Sequence, residues 1–175
     1  MIRYANRKDL KRVNELRKVV HEVHYDWRPD IFKENFCKEF QYLIYTLWKN
    51  DNLDVIIALR DDEICGFACV EYIEIPESPY SLARRFYHIN ELGVDEKYRR
   101  QWVATELFEF IKKAAYTNNF DKIELIMWDF NEGALKFYES VGFVTSRRFM
   151  EFSNNNIDLN RKDSLFWEFR IICVI

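Results

Sequence analysis

The feature that most constrains this chain is the order of strand-like and helix-like segments between residues 54 and 128. Two apolar segments, Asp54 to Leu59 and Glu63 to Ile75, flank a short polar turn and predict a hairpin. A third strand is predicted at Phe86 to Val94. It is followed by the helical spacing of Gln101 to Asn118 and by a strand at Lys122 to Trp128. Since a strand, a helix and a strand in this order form a parallel crossover, the sequence predicts an α/β fold with a mixed sheet and helices on both faces.

Segments on either side extend this pattern. Pro29 interrupts the helical spacing of apolar residues between two predicted helices, because proline cannot continue a helix. The further predicted elements are a strand at Ile2 to Ala5, helices at Arg7 to His24, Ile31 to Lys49 and Glu132 to Ser140, and strands at Phe143 to Phe152 and Ser164 to Ile175. The apolar end of the last strand has to be covered, either by its own sheet or by a second subunit in a homodimer.

Length and charge restrict the class of protein. The 175 residues suit a single domain, 1–175, with an extra strand segment at 153–175 beyond the core at 1–152. A net charge of −3 disfavours a nucleic-acid partner. Aliphatic runs such as Val55 to Leu59 are too short to cross a membrane.

Four cysteines argue for a reducing compartment and against a metal. Cys65 and Cys69 lie four residues apart in one predicted strand, which would put them on the same face about 13 Å apart. That separation is too large for a disulfide or a shared zinc ion. A cytoplasmic protein with free thiols and no metal is therefore expected.

The segment Leu92 to Ala104 is a predicted strand that passes through a basic turn into a helix. The first N–H groups of a helix are unpaired and its N-terminus is partly positive, so a pyrophosphate can bind there. Arg99 and Arg100 would add charge in a geometry that suits phosphate oxygens. Taken alone, the segment is equally compatible with a solvated basic loop.

A second segment, Asn131 to Phe143, reads Asn-x-x-Ala-x-x-Phe-Tyr-x-x-x-Gly-Phe. Together the two segments resemble the GNAT superfamily of acyl-CoA-dependent N-acetyltransferases. The resemblance implies a GNAT-like fold and acetyl-CoA as cosubstrate, with the pantetheine arm bonded as a substitute strand in the gap between the strands at 86–94 and 122–128. The residues that it assigns to the cofactor are Leu92, Gly93, Val94, Arg99, Arg100, Gln101, Trp102, Val103, Ala104, Thr105, Asn131, Ala134 and Phe137.

Two positions in these segments, Trp102 and Gly93, bear on how closely the cofactor can approach the backbone. Trp102 stands where the family pattern has glycine, so its indole either packs beside the cofactor or obstructs the phosphates. Gly93 fits a kink or bulge where a side chain would crowd the pantetheine arm. A backbone N–H near Leu92 would stabilise the oxyanion.

The resemblance also implies catalytic roles for the transfer of an acetyl group to a primary amine of a small molecule or a peptide, by direct attack in a ternary complex. Tyr138 matches the tyrosine that protonates the departing thiolate. Glu91 is the candidate base, with Glu71 and His88 as weaker ones. The candidate residues for the acceptor are His24, Asp26, Asp30 and Glu71. The alternative is a non-catalytic acyl-CoA-binding or regulatory module of the same fold.

Overall fold

The fold comes from a computed structural model that describes residues 1–152 and 173–174. Within these residues the chain forms one mixed sheet in the order β1-β2-β3-β4-β5, with β6 paired to β4. The strands are β1 (Ile2–Tyr4), β2 (Leu53–Arg60), β3 (Glu63–Ile75), β4 (Arg84–Val94), β5 (Lys122–Leu125) and β6 (Cys173–Val174). Neighbours from β1 to β4 are antiparallel, whereas β5 and β6 both run parallel to β4. The predicted mixed sheet is confirmed.

Helices cover both faces of this sheet, as predicted. They are α1 (Leu10–Trp27), α2 (Lys38–Leu47), α3 (Val103–Thr117) and α4 (Glu132–Ser140). Apolar residues of α1 and α2 form one core cluster with alternate residues of β2 and β3. Residues of α3 and α4 form a second cluster with the opposite faces of β2, β3 and β4. The sheet therefore separates two cores, and β4 lies between them.

The prediction of the second helix was wrong at its start. Residues 31–37 are not helical, and α2 begins at Lys38. The N–H groups of Ile31 and Phe32 both bond to the Arg28 carbonyl, at 2.9 Å, which turns the chain at the predicted break. Phe32 and Phe36 then pack against His21 of α1 instead of continuing a helix.

The prediction of a strand at Phe143 to Phe152 was also wrong. No strand pairing involves this segment within the described part of the chain. Beyond Phe143, which packs against the core, its apolar side chains are exposed by 86–89%, among them Val144, Phe149 and Phe152. The apolar spacing therefore lacks the covered face that would make it a strand. The prediction at Ser164 to Ile175 lies outside the described residues except for Cys173 and Val174, which form β6.

The predicted strand at Lys122 to Trp128 is shorter, because β5 ends at Leu125. Cys65 and Cys69 were predicted to lie on the same face of the strand, and this prediction was wrong. The register of β2 against β3 shifts at Cys65, and the two thiols pack in different core clusters. A β-bulge reverses the alternation of side chains, which the sequence spacing alone does not reveal.

Candidate active site

The connection between β4 and α3 is the candidate anion site that the sequence predicts. β4 ends at Val94, a single 3-10 turn follows at Glu96–Tyr98, and α3 begins at Val103. The residue before α3 is Trp102, whose side chain makes no capping hydrogen bond. Because an indole has no acceptor oxygen, Trp102 does not cap the first N–H groups of α3, and they can bond to an anion or to water.

Trp102 adopts the backbone conformation that usually requires glycine. Its φ is 65° and that of Arg100 is 62°, both in the left-handed region. This conformation costs a residue with a side chain about 1–2 kcal/mol. The Trp102 side chain is 76% exposed, so the indole points away from the core. The loop thus adopts a left-handed conformation here without a glycine, and it stores strain at this position.

Hydrogen bonds hold the loop in place before any ligand binds. Asp95 pairs with Arg12 of α1 and also accepts a hydrogen bond from the backbone N–H of Lys97 (3.1 Å). Gln101 donates from Nε2 to the Lys97 carbonyl (2.8 Å). Arg99, which is half-buried, donates from Nε to the carbonyl at the end of β4 (3.4 Å). The positive charge at Arg99 is therefore fixed beside the start of α3.

One edge of β4 opens towards this loop. β3 pairs with β4 along its whole length, from Arg84 to Val94. On the other edge, β5 pairs only with residues from Phe86 to Ile89. Beyond Ile89 the β5 strand ends, and Leu92 and Gly93 pair with Cys173 and Val174 of β6. The N-terminal half of this edge is thus occupied by β5, and its C-terminal half lies next to the anion site.

The reason for a glycine at position 93 differs from the prediction. A Cβ at Gly93 would lie 2.7 Å from Phe67 Cε1 and 3.1 Å from Val20 Cγ2. The glycine therefore lets α1 pack closely on the sheet. The bulge lies at Asn90 instead, because Cys69 pairs with Glu91 while the next residue of β3, Val70, pairs with Ile89. This bulge immediately precedes Glu91 and Leu92.

The second motif forms the start of α4 and packs its tyrosine inward. Asn131 accepts a hydrogen bond at Oδ1 from the Ala134 N–H (3.1 Å), which caps the helix. Tyr138 is 2% exposed, and its ring makes edge contacts with Phe137 and Phe143, both at 5.2 Å. Tyr138 belongs to the same core cluster as the end of β4 and the start of α3. The fold thus brings the two sequence motifs together.

Glu91, the candidate base, forms a buried ion pair with Arg17 of α1. The guanidinium donates from Nε and Nη2 to the two carboxylate oxygens, at 2.7 and 2.8 Å. The side chain of Arg17 is only 1% exposed, and its guanidinium carbon lies 4.5 Å from the ring centre of Phe40. Sequence reasoning missed Arg17. Its signal was a charged residue on the apolar stripe of α1, where Val13, Leu16 and Val20 are buried.

His24 lies one helical turn beyond Val20 in an aromatic environment. It is buried, and its Nδ1 lies 2.6 Å from the Val20 carbonyl, which assigns the proton of the neutral ring to Nδ1. Burial lowers the pKa of His24 to about 4. The ring lies 5.2 Å from Phe32 and 6.0 Å from Phe130. His24 is therefore neutral at physiological pH.

Three stacked aromatic rings connect His24 to the surface: Phe130 and Trp128, which are half-buried, and Trp27, which is exposed. Phe130 stacks on Trp27 (5.3 Å, 6°) and on Trp128 (6.0 Å, 13°). Trp27 is 61% exposed, and Arg28 lies over Trp128 at 4.9 Å. The sequence alone does not reveal this surface, because Trp27 and Trp128 lie 101 residues apart and meet only in the fold.

The candidate acceptor carboxylates do not form one cluster. Asp26 is exposed at the end of α1. Asp30 is held by Arg28 at 2.7 Å, and this hydrogen-bonded pairing keeps the pKa of Asp30 below its usual value. Glu71 accepts a hydrogen bond from Asn90 Nδ2 (3.2 Å), across the bulge from Glu91. Of these, only Glu71 lies beside the bulge of β4.

A surface cleft of about 580 Å³ lies at the other end of β4. It is lined by Glu71, Tyr72, Arg85 and Phe120, among others. Arg85 is at the start of β4, whereas the candidate anion site follows the end of that strand, so the cleft is separate from the anion site and reaches the bulge only through Glu71. Among residues 1–152 and 173–174, no cluster of metal-ligating side chains is found. No helix in the same part of the chain is long and apolar enough to span a membrane.

The chain is similar in sequence to known acetyltransferases. The Acetyltransferase (GNAT) family matches residues 21–143, which is more than half of the chain. Among curated proteins, N-alpha-acetyltransferase 30 of Xenopus laevis is 34% identical over 99 residues, covering 55% of this chain and 35% of the relative. The chain therefore spans about a third of that relative's length.

Two solved structures show the same fold. A mutant of the BH1408 protein from Bacillus halodurans is 28% identical, with a TM-score of 0.84, and the match covers 87% of this chain and 98% of that one. The aminoglycoside N-acetyltransferase AAC(6')-Iy, solved with a CoA–acetylneamine bisubstrate analogue, is 16% identical with a TM-score of 0.68 over 89% of this chain and 97% of that one. The mixed sheet and the helix start after β4 define an acyltransferase fold. The chain belongs to the GNAT acetyltransferase family.

Proposed function

We propose that this protein is an N-acetyltransferase that transfers the acetyl group of acetyl-CoA to a primary amine. The observation that carries the proposal is the loop after β4, which combines an uncapped helix start with a fixed Arg99 and two left-handed residues. These groups suit the pyrophosphate of CoA, and the adjacent edge of β4 suits the amides of its pantetheine arm. The relatives are by name an N-alpha-acetyltransferase and an aminoglycoside N-acetyltransferase, and both names describe acetylation at nitrogen.

In the proposed reaction the amine nitrogen attacks the acetyl carbonyl carbon, and the bond from that carbon to sulfur breaks. A backbone N–H at the end of β4, near Leu92, would stabilise the negative charge on the carbonyl oxygen. Tyr138 would give its proton to the departing thiolate, whose thiol pKa is about 8.5. The ammonium group of the acceptor loses one proton before attack, to Glu91 through water or directly to solvent. A second proton leaves the nitrogen as the amide forms, and a proton returns from solvent to the Tyr138 oxygen.

The environment of Glu91 bears on its proposed role. A bidentate pair with Arg17 places a hydrogen-bond donor on each oxygen of the carboxylate. An amine or a bridging water can therefore reach only the lone pairs that Arg17 leaves open. Replacement of Glu91 by glutamine separates the two routes: loss of turnover supports Glu91, and retained turnover assigns the proton to solvent.

The experiment that tests the function is an amine panel assayed by release of CoA thiol. The panel contains peptide N-termini, aminoglycosides and diamines. Arg99→Ala should lower kcat/KM for acetyl-CoA about tenfold, with a weaker salt dependence, because the contact is largely electrostatic. Arg7→Ala removes the same side chain from an exposed loop and serves as the matched control. Saturable acetyl-CoA binding without turnover of any amine would favour the non-catalytic module instead.

A further inference from the structure

We propose that strand β6 is a built-in competitor for acyl-CoA at the edge of β4. This proposal rests on the proposed function, because it names what regulates the same site. It starts from the position of Cys173 and Val174, which pair in parallel with Leu92 and Gly93. These two residues of β4 lie at the end of the strand that leads into the anion loop.

The sheet leaves only one edge of β4 for this pairing. At the same two positions the opposite edge is taken by β3, because Ala68 pairs with Leu92 and Phe67 pairs with Gly93. The edge that carries β6 is therefore the one that β5 leaves beyond Ile89. That part of the edge is where the pantetheine arm would bind as a substitute strand.

The N–H and carbonyl groups along one edge of a strand can pair with one neighbouring strand at a time. The backbone groups that β6 uses at Leu92 and Gly93 are therefore not available to the amides of the arm at the same time. β6 and acyl-CoA are accordingly alternative occupants of one backbone edge.

Competition of this kind multiplies the affinity for acetyl-CoA by the fraction of molecules whose edge is open. If β6 is in place nine-tenths of the time, removing its pairing tightens acetyl-CoA binding about tenfold. Bound acetyl-CoA has the reverse effect and displaces β6 from β4.

The test uses the full chain with a double substitution, Cys173→Pro together with Val174→Pro. Proline has no N–H and cannot donate to a strand neighbour. The matched control is Cys173→Ala with Val174→Ala, which keeps both N–H groups. Acetyl-CoA is titrated into all three chains by calorimetry. The expected result is about tenfold tighter binding for the proline chain and wild-type affinity within about twofold for the alanine chain.

Three results would overturn the competition. Equal affinity in all three chains, or weaker binding by the proline chain, rules it out while leaving the proposed function intact. Absence of heat in every chain contradicts the proposed function and the competition together. Amide exchange provides an independent measurement without ligand: the amides of Leu92 to Val94 that point away from β3 should exchange faster in the proline chain than in the wild type. Unchanged exchange there also rules out the competition.

Discussion

The two sides of β4 are the anion loop at its end and the bulge on its α1 face, and they are built from different chemical groups. At the end of the strand, the anion loop relies on backbone: N–H groups at the start of α3, and a left-handed Trp102 that leaves its indole in solvent. On the α1 face, the bulge beside Glu91 relies on buried side chains, with Arg17 clamping the carboxylate and His24 held neutral.

This difference has a consequence for tolerance to substitution. A site made of backbone keeps its geometry when a side chain changes, provided that the chain can adopt the required φ. A site made of buried charges fails when one partner is removed, because the other is left uncompensated in a low-dielectric environment. We therefore expect the α1 face to be the more sensitive of the two.

The largest expected effect is that of Arg17→Met. This change keeps much of the apolar stem but leaves Glu91 buried without its cation, and breaking a buried pair in this way costs about 3–5 kcal/mol of unfolding free energy. Chemical denaturation measures the loss. Arg12→Met on the same helix is the control, because Arg12 is 35% exposed and its pair with Asp95 should contribute less than about 1 kcal/mol. If both variants lose the same amount, the contrast between the two sides is wrong.

Tyr138→Phe tests whether Tyr138 donates the proton to the departing thiolate. Phenylalanine keeps the ring contacts with Phe137 and Phe143 but removes the only proton that Tyr138 can donate. We expect kcat to fall about a hundredfold, in the range for loss of a positioned acid, with acetyl-CoA affinity nearly unchanged. Steady-state kinetics on an accepted amine, with calorimetry, separates these quantities. Turnover at the wild-type rate would assign the hydroxyl a structural role and make solvent the proton source.

Trp102→Gly should have the smallest effect and the opposite sign. Glycine adopts a positive φ without strain, so the unfolding free energy should rise by up to about 1 kcal/mol. Trp102→Ala is the paired variant, since it removes the indole but keeps the strain. If the indole packs beside the cofactor, both variants bind acetyl-CoA no more tightly than the wild type. Tenfold tighter binding in both would show that the indole obstructs the phosphates and would favour the non-catalytic module.

The same contrast explains what the sequence could predict. The strands from β1 to β5 followed from apolar spacing, the parallel direction of β5 against β4 followed from the strand–helix–strand rule, and the loop after β4 followed from a contiguous motif. Arg17 and Glu91 lie 74 residues apart, so their pairing depends on how α1 crosses β4. The wrong strand at Phe143 to Phe152 has a related cause, because alternation shows which side chains could be buried and not whether a neighbour covers them.

The central claim is that acetyl-CoA binds at the loop between β4 and α3, and calorimetric titration of the wild-type chain with acetyl-CoA tests it most directly. The account predicts a saturable heat with one site per chain, weakened by salt and by Arg99→Ala but not by Arg7→Ala. Ligand at a hundredfold excess over Kd should stabilise the fold by about 2.7 kcal/mol, which raises the melting temperature by several degrees. A titration without heat, accompanied by an unchanged melting temperature at millimolar acetyl-CoA, would contradict it.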